Sequence, residues 1–160
     1  MGVRDELLQA FHVLAEDLEA NRTGALGPRQ AQRLIASGYR NLAASVVIGV
    51  ALLAILLFVA HKPLKPVQWI LSGALFLAAL LVGINYFRRV RAAVAEGRVE
   101  CLTGAVETRS GGRSGWYLHV AGQSFQLPVR PWHVKSGSAY RVYFAPRPRA
   151  IVAMEPDGWE

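Results

Sequence analysis

Two uninterrupted apolar runs dominate the pattern of hydrophobic and polar positions along the chain. Each is 19 residues long and free of charged side chains, Leu42–Ala60 and Trp69–Phe87. As a helix rising ~1.5 Å per residue, each run would be ~28 Å long, close to the thickness of a bilayer's hydrocarbon core. The short loop between them, with Pro63 and Pro66, requires an antiparallel pair. The pattern predicts a transmembrane helical hairpin, and a buried helix pair in a soluble core is the less favoured interpretation.

The residues before the hairpin show helical periodicity. An apolar stripe runs through Arg4–Ala20, with an acidic opposite face, and predicts an amphipathic helix that packs on protein. Residues Pro28 to Ser37 predict a short interfacial helix that ends at a break or bend at Gly38. Together these segments predict an N-terminal helical arm over residues 1–40.

After Gly97 the period changes to that of strands. Five short strands are predicted, with a bulge at Gly104 in the first: Val99–Glu107, Trp116–Ala121, Gln123–Leu127, Tyr140–Ala145 and Ala150–Glu155. So many short strands in under 60 residues indicate a small antiparallel β-barrel or curled sheet of OB-like or SH3-like size. The predicted fold is membrane α+β, with an arm (1–40), a hairpin with its cytoplasmic extension (41–97), a β-domain (98–156) and a tail (157–160).

Charge adds orientation to this picture. The four arginines nearest the hairpin on its N-terminal side and the four nearest on its C-terminal side outnumber the two lysines of the loop, Lys62 and Lys65. These arginines are Arg22, Arg29, Arg33 and Arg40, and Arg88, Arg89, Arg91 and Arg98. This bias predicts a multi-pass protein of the cell membrane, in a bacterium the inner membrane, with both termini cytoplasmic. Residues 98–154 hold eight basic and two acidic residues, a net charge of +6. A basic domain beside a membrane favours anionic headgroups over nucleic acid as its partner.

Small residues recur at a spacing of four inside the apolar runs. This spacing lets helices approach closely, either within the hairpin or against another membrane subunit. The predicted packing residues are Ser45, Gly49, Ala74, Ala78, Ala79 and Gly83.

Alternation along the strands separates a core face from an outward face. Trp116, Leu118 and Val120 fall on one face, as do Tyr140, Val142 and Phe144, with Phe125 and Leu127 fitting the core set. The remaining aromatic and basic residues predict a candidate binding surface for a protein, a lipid or, less favoured, a nucleic acid. Simple cross-strand pairing and solvation is the competing interpretation. The surface comprises Tyr117, His119, Arg141, Tyr143, Arg147 and Arg149.

Catalytic and metal-binding patterns are poor. The four histidines fall in separate segments without metal-ligand spacing, and carboxylates are too few in the strand region to indicate acid–base chemistry. Cys101, the single cysteine, is expected to be a small buried residue rather than a nucleophile. No enzyme activity, metal or cofactor is predicted.

Two stretches resemble bacterial membrane-anchored proteins of unknown function. One is Asn21–Gln30, and the other is Gly137–Arg147 followed by Ile151–Pro156. The general plan also resembles that of NfeD-like proteins, in which a membrane anchor carries a cytosolic OB-like barrel. The resemblance implies an architecture and no activity.

The expected function is therefore that of a membrane adaptor or accessory subunit. Its β-domain would contact another protein, a second copy of the chain, or anionic lipid at the cytoplasmic face. A membrane-tethered sensor of a ligand or nucleic acid is the alternative, and an enzyme with an unrecognised site is the third hypothesis.

Overall fold

The computed structural model describes residues 13–59, 66–111, 115–127 and 134–158. The chain divides into two compact units, a sheet unit formed by residues 1–32 and 93–160 and a helical unit formed by residues 33–92. The described helices are α1 (Ala15–Arg22), α2 (Pro28–Val59) and α3 (Pro66–Glu96). The strands are β1 (Glu100–Ser110), β2 (Trp116–Val120), β3 (Gln123–Leu127), β4 (Ala139–Ala145) and β5 (Ala150–Pro156).

Within the helical unit, α2 and α3 pack as an antiparallel pair. Gly38 lies against Phe87 and Val90, whereas Gly49 lies against Phe76. Contact positions therefore rise along α2 as they fall along α3. The predicted break at Gly38 is wrong, because α2 runs through it without interruption. A glycine costs a helix only about 1 kcal/mol relative to alanine, and here its missing side chain lets the Phe87 ring approach.

Both long helices expose apolar side chains. They are long and apolar enough to cross a membrane, and only 11% of the most apolar window of each is buried within the structure. The exposed residues are large, as Phe58, Ile70 and Val82 show. These helices thus differ from the core helices of a soluble protein, whose apolar residues are mostly buried.

The five strands form one antiparallel sheet in the order β3-β2-β1-β4-β5. The long strand β1 pairs with β4 through residues 100–105 and with β2 through residues 106–110. The rings of Phe125 on β3 and Phe144 on β4 have centroids 4.9 Å apart, although two strands lie between them. Because neighbouring strands are spaced ~4.8 Å apart, a flat sheet would separate these rings by roughly 14 Å. The sheet is therefore strongly curled.

The curled sheet is not closed. No hydrogen-bonded ladder joins β3 to β5 among the described strands, so the barrel alternative is not supported and the curled-sheet alternative describes the fold. The concave face holds the core, and the residues that alternation predicted to point inward are buried there, except Trp116, which is half-buried against it. That core comprises Val106, Leu118, Val120, Phe125, Leu127, Val134, Tyr140, Val142, Phe144 and Met154.

Two local details of the sheet differ from prediction. Strand β1 continues to Ser110, into a stretch expected to be loop, because residues 106–110 pair with β2. Gly104 forms no bulge and pairs in regular register with Tyr140, and the irregularity lies instead between Tyr143 and Phe144. The predicted helix over Arg4–Ala20 is not continuous, because Leu14 is extended and α1 begins at Ala15. Its residues 4–12 lie outside the described residues.

The segment between α1 and α2 is bonded to the start of the sheet. The N–H of Leu26 donates to the carbonyl of Gly97 (2.8 Å), and the N–H of Val99 donates to the carbonyl of Gly24 (2.9 Å). Gly24 and Gly97 have φ angles of +81° and +58°, which glycine adopts without steric cost. These two bonds make an isolated antiparallel bridge between Ala25 and Arg98. Through it, part of the predicted arm belongs to the same compact unit as the sheet.

Candidate functional site

A buried polar cluster lies on the convex face of the sheet, opposite the core. Its members are Arg22 at the end of α1, Tyr143 on β4 and Glu155 on β5, here called the Glu155 cluster. The Tyr143 hydroxyl donates to Glu155 Oε1 at 2.6 Å. Arg22 Nη2 donates to Glu155 Oε2 at 2.7 Å, and Arg22 Nε donates to Oε1 at 3.3 Å. Arginine thus holds both carboxylate oxygens, the geometry in which such pairs are strongest.

Strand register and a small neighbour create room for this cluster. Tyr143 pairs with Ala153, two residues before Glu155, so the tyrosine and the glutamate are diagonal neighbours on one face. Ala153 is fully buried and its methyl group leaves space above the sheet for the long side chains. On α1, Arg22 stands in the last turn, where a positive charge is favourable to the helix dipole.

Burial and hydrogen bonding shift the ionisation of all three groups. Although burial opposes ionisation of Glu155, the hydrogen bonds from Arg22 and Tyr143 hold its pKa below the ordinary value. Burial, and then the hydrogen bond to Glu155, raise the pKa of the Tyr143 phenol. The hydrogen bond and charge of Glu155 likewise raise the pKa of the Arg22 guanidinium. The cluster is therefore a neutral phenol bonded to a stable ion pair around neutral pH.

The buried position of Tyr143 corrects the prediction that it lies on an outward surface. Tyr143 is only 3% exposed. Alternation correctly separates it from the core face, but α1 covers this end of the convex face through Arg22, and strand periodicity carries no information about a covering helix. The sequence signal that could have indicated this covering helix was the apolar stripe of the N-terminal segment, whose Leu18 is 1% exposed.

Beside the cluster lies a second, more exposed group of polar side chains. Arg141 Nε donates to Asp157 Oδ1 at 2.9 Å, and this bond raises the pKa of Arg141. Cys101 on β1 pairs in register with Tyr143. The cysteine is exposed, contrary to the expectation that it is buried, because β1 bears it on the convex face rather than in the core. Burial of part of the side chain raises the pKa of its thiol.

The remaining predicted surface residues lie elsewhere. Tyr117 and His119, both half-buried, stand opposite Arg109 and Glu107 at the far end of β1. Thr103, opposite Arg141, and Glu107, opposite His119, are four positions apart on β1, which separates the two groups by roughly 13 Å.

The two arginines after β4 are exposed and lie in or beside the β4–β5 turn. Arg147 lies 3.7 Å from the carboxylate of Glu96, and Arg149 has a positive φ of 65°. The structure therefore brings Arg141 and Tyr143 onto one part of the convex face and Tyr117 and His119 onto another. It does not unite the six predicted residues in a single surface.

Sequence reasoning missed Arg22 and Glu155 altogether, together with one buried amide. Arg22 and Glu155 are 133 positions apart, so no local spacing relates them. Asn21, the neighbour of Arg22, is 2% exposed, and neither its amide oxygen nor its amide nitrogen has a hydrogen-bond partner within the part of the chain that the structure describes. Leaving such a group unpaired costs about 1–3 kcal/mol.

The Glu155 cluster has a structural role. Its carboxylate is engaged by two donors and its phenol is held neutral, so it offers neither a free base nor a nucleophile. Within residues 13–59, 66–111, 115–127 and 134–158, no group of three or more His, Cys, Asp or Glu side chains could hold a metal ion. What the arrangement does is bind α1 to β4 and β5.

In the helical unit, the predicted packing residues divide into two sets. Gly49 lies against the Phe76 ring, and Gly83 lies against Ser45, inside the α2–α3 pair. Ala74 and Ala78 are exposed, and Ala79 is half-buried.

Comparison with known proteins adds no relative to these observations. No protein-family model matches the chain, and no curated protein or solved structure is significantly similar to it.

Proposed function

We propose that this protein is a membrane adaptor or accessory subunit, anchored by α2 and α3 and presenting its sheet unit to a protein partner at the cytoplasmic face. The observation that carries the proposal is the exposure of two adjacent apolar helices, 32 and 31 residues long. Most of the apolar surface of each lies outside the structure's own core. In water such a surface would far exceed the apolar patches that soluble proteins tolerate, whereas a bilayer removes that cost.

The sheet unit suits a presenting role because its N-terminal segment is fixed to it. The Glu155 cluster bonds α1 to the sheet, and Gln30 Nε2 donates to the carbonyl of Val152 at 3.3 Å. The backbone bridge between Ala25 and Arg98 adds a third attachment. A prearranged surface loses less conformational entropy when a partner binds.

The part of the convex face that carries Tyr117 and His119 is the proposed partner contact. Both side chains are half-buried, and their strand neighbours Ser124 and Gln126 are exposed. Tyrosine gives a large contact area at a low entropic cost, which is why it is enriched at interfaces. The sensor alternative takes Tyr117, Arg141 and Tyr143 as its contact surface. It is less favoured, because two of these three, Arg141 and Tyr143, already bind Asp157 and Glu155.

Sidedness of labelling tests the anchor. Gln68→Cys, at the start of α3, and Ser124→Cys, exposed on β3, are made separately in a Cys101→Ser background. In sealed vesicles of known orientation, an impermeant maleimide is expected to reach position 68 only from outside and position 124 only from the cytoplasmic side. The reverse pattern would place the sheet unit outside the cell, and labelling of both positions from one side would contradict a spanning hairpin.

A paired substitution tests the partner contact. Full-length protein with Tyr117→Ala and His119→Ala is compared with an Arg147→Ala control, which removes an exposed side chain far from this face. Crosslinking in intact membranes is expected to give a defined adduct for the parent protein and the control, reduced at least fivefold for the double variant. An adduct of equal yield in all three proteins, or no adduct, would refute a contact at Tyr117 and His119.

A further inference from the structure

The positive charge of the sheet unit is largely neutralised within the unit itself. Five of its arginines each lie within 4 Å of a carboxylate oxygen. These pairs are Arg22 with Glu155, Arg98 with Glu100, Arg109 with Glu107, Arg141 with Asp157, and Arg147 with Glu96. Four of the eight basic residues whose charge predicted lipid attraction for the β-domain thus have a carboxylate partner within the sheet unit.

The helical unit shows the opposite arrangement. Residues 33–92 contain no aspartate or glutamate. Arg40 on α2 and the three arginines Arg88, Arg89 and Arg91 on α3 are exposed. Among the described residues, none of these four has a carboxylate within ion-pair distance. These four arginines, without a carboxylate partner among the described residues, therefore lie in the unit whose helices expose apolar side chains.

Packing brings these arginines to the same end of the helix pair. Gly38 lies against Phe87 and Val90, and the Tyr39 ring lies 4.7 Å from the Phe87 ring. Arg40 is therefore level with the start of the Arg88–Arg91 stretch. Since successive helical residues are turned by about 100°, Arg88, Arg89 and Arg91 point in three directions around α3.

Aromatic side chains mark the same level. Tyr39 is exposed beside Phe87, and the Arg91 guanidinium lies 6.0 Å from the Phe87 ring centroid. Aromatic rings between an apolar span and a basic end are typical of the bilayer interface, where lipid phosphates lie. Arginine also matches phosphate by paired hydrogen bonds, which lysine does not offer.

We propose that Arg40, Arg88, Arg89 and Arg91 form a binding site for anionic phospholipid headgroups around this end of the α2–α3 pair. The site takes the phosphodiester of a lipid such as phosphatidylglycerol, with the acyl chains along the exposed apolar side chains. This inference rests on the proposed membrane function. It assigns the lipid contact to the helical unit instead of the basic β-domain.

Lipid selectivity of the reconstituted full-length protein tests this assignment. Spin-labelled phosphatidylglycerol or phosphatidylcholine is added at trace level to phosphatidylcholine bilayers, and electron paramagnetic resonance gives the fraction of each lipid immobilised at the protein. The parent protein is expected to prefer phosphatidylglycerol by several-fold, since one well-placed arginine contributes roughly fivefold. The preference is expected to fall in high salt, because ions screen exposed charges.

Matched triple variants locate the site. Arg88→Gln, Arg89→Gln and Arg91→Gln together are expected to reduce the preference to below twofold. Replacing the same three by lysine is expected to keep more than half of it. Neutralising Arg109, Arg147 and Arg149 in the sheet unit removes the same charge and is expected to leave the preference unchanged.

The outcomes separate this inference from the proposed function. Absence of any immobilised lipid would show that the helices do not lie in the bilayer, which would overturn both. Immobilised lipid with equal affinity for the two labels would overturn the headgroup site alone and leave the anchor intact. A preference lost with the sheet-unit variant, and not with the helical one, would return the lipid contact to the β-domain.

Discussion

At the scale of single residues, replacing the carboxylate of Glu155 by an amide is expected to lower the free energy of unfolding. Glu155→Gln removes the charge that holds Arg22, whose side chain is 36% exposed against 6% for the glutamate. Because water partly screens the arginine, we expect a loss of about 1–3 kcal/mol in the free energy of unfolding, less than for a fully buried pair. Chemical denaturation of the full-length protein in detergent, followed by near-ultraviolet circular dichroism, measures it.

The matched control is Glu107→Gln, which breaks the pair with Arg109. Those side chains are 62% and 70% exposed, so the same chemical change is expected to cost under ~0.5 kcal/mol. Equal losses in the free energy of unfolding for the two variants would show that the Glu155 cluster does not hold α1 on the sheet.

The Arg22–Glu155 ion pair also predicts how the free energy of unfolding depends on pH. The pKa of Glu155 is lowered in the folded protein, so its contribution is complete above the unfolded value of about 4.3 and is lost as pH falls through the lower folded value. The stability difference between the parent protein and Glu155→Gln is therefore expected to be constant from pH 7 to about pH 5 and to shrink below about pH 4. Denaturation curves at several pH values measure that difference. A gap that widened on acidification would contradict the ion pair.

Asn21 gives a prediction of opposite sign. Its buried amide has no hydrogen-bond partner among the described residues, so we expect that folding removes the hydration of this amide without compensation. Asn21→Leu, of similar size, is expected to raise the free energy of unfolding by about 1 kcal/mol. The reference variant is Thr23→Val, two residues later, where the hydroxyl donates to the carbonyl of Ala20 at 2.7 Å and its loss destabilises. Destabilisation by Asn21→Leu would indicate that the amide has a partner, such as a bound water.

At the scale of elements, the packing of α2 on α3 depends on close approach at Gly49. A β-carbon there would lie 2.5 Å from Phe76 Cδ2, so a side chain forces the ring or the helices apart. Gly49→Leu is expected to destabilise the helix pair by about 1–3 kcal/mol. Gly73→Leu on α3 is the control, because nothing lies within 4 Å of its added β-carbon. Thermal unfolding monitored by helical circular dichroism compares them, and similar midpoints would contradict the predicted packing.

Elements with strong periodicity were predictable from the sequence, and those decided by distant packing were not. The two apolar runs and all five strands correspond to observed helices and strands, because the length of an apolar run and the alternation of a strand are both local patterns in the sequence. The continuity of α2 through Gly38 was not predictable, since Phe87 and Val90 come from the other helix. The Glu155 cluster likewise needs Arg22 beside Glu155, a contact that only the folded chain creates.

At the scale of the whole molecule, the division of the chain into a sheet unit and a helical unit was also hidden from local pattern. The sequence predicts an arm over residues 1–40, whereas residues 1–32 group with residues 93–160. The bridge between Ala25 and Arg98 accounts for this, because its two backbone hydrogen bonds join segments that are far apart in sequence. Backbone hydrogen bonds require no particular side chains, so this bridge leaves no signature in the sequence beyond Gly24 and Gly97.

This division predicts that damage to one unit is not transmitted to the other. Glu155 lies in the sheet unit and Gly49 in the helical unit, and they share no neighbour among the described contacts. The double variant Glu155→Gln with Gly49→Leu is therefore expected to lose the sum of the two single losses, within about 0.5 kcal/mol. Within the sheet unit, by contrast, Glu155→Gln with Tyr143→Phe is expected to be non-additive, because Tyr143→Phe removes the 2.6 Å hydrogen bond and Glu155→Gln weakens the same bond by making its acceptor neutral. Chemical denaturation of the parent, single and double variants, followed by circular dichroism, measures the losses. A coupling above about 1 kcal/mol between positions 155 and 49 would show that the two positions interact energetically.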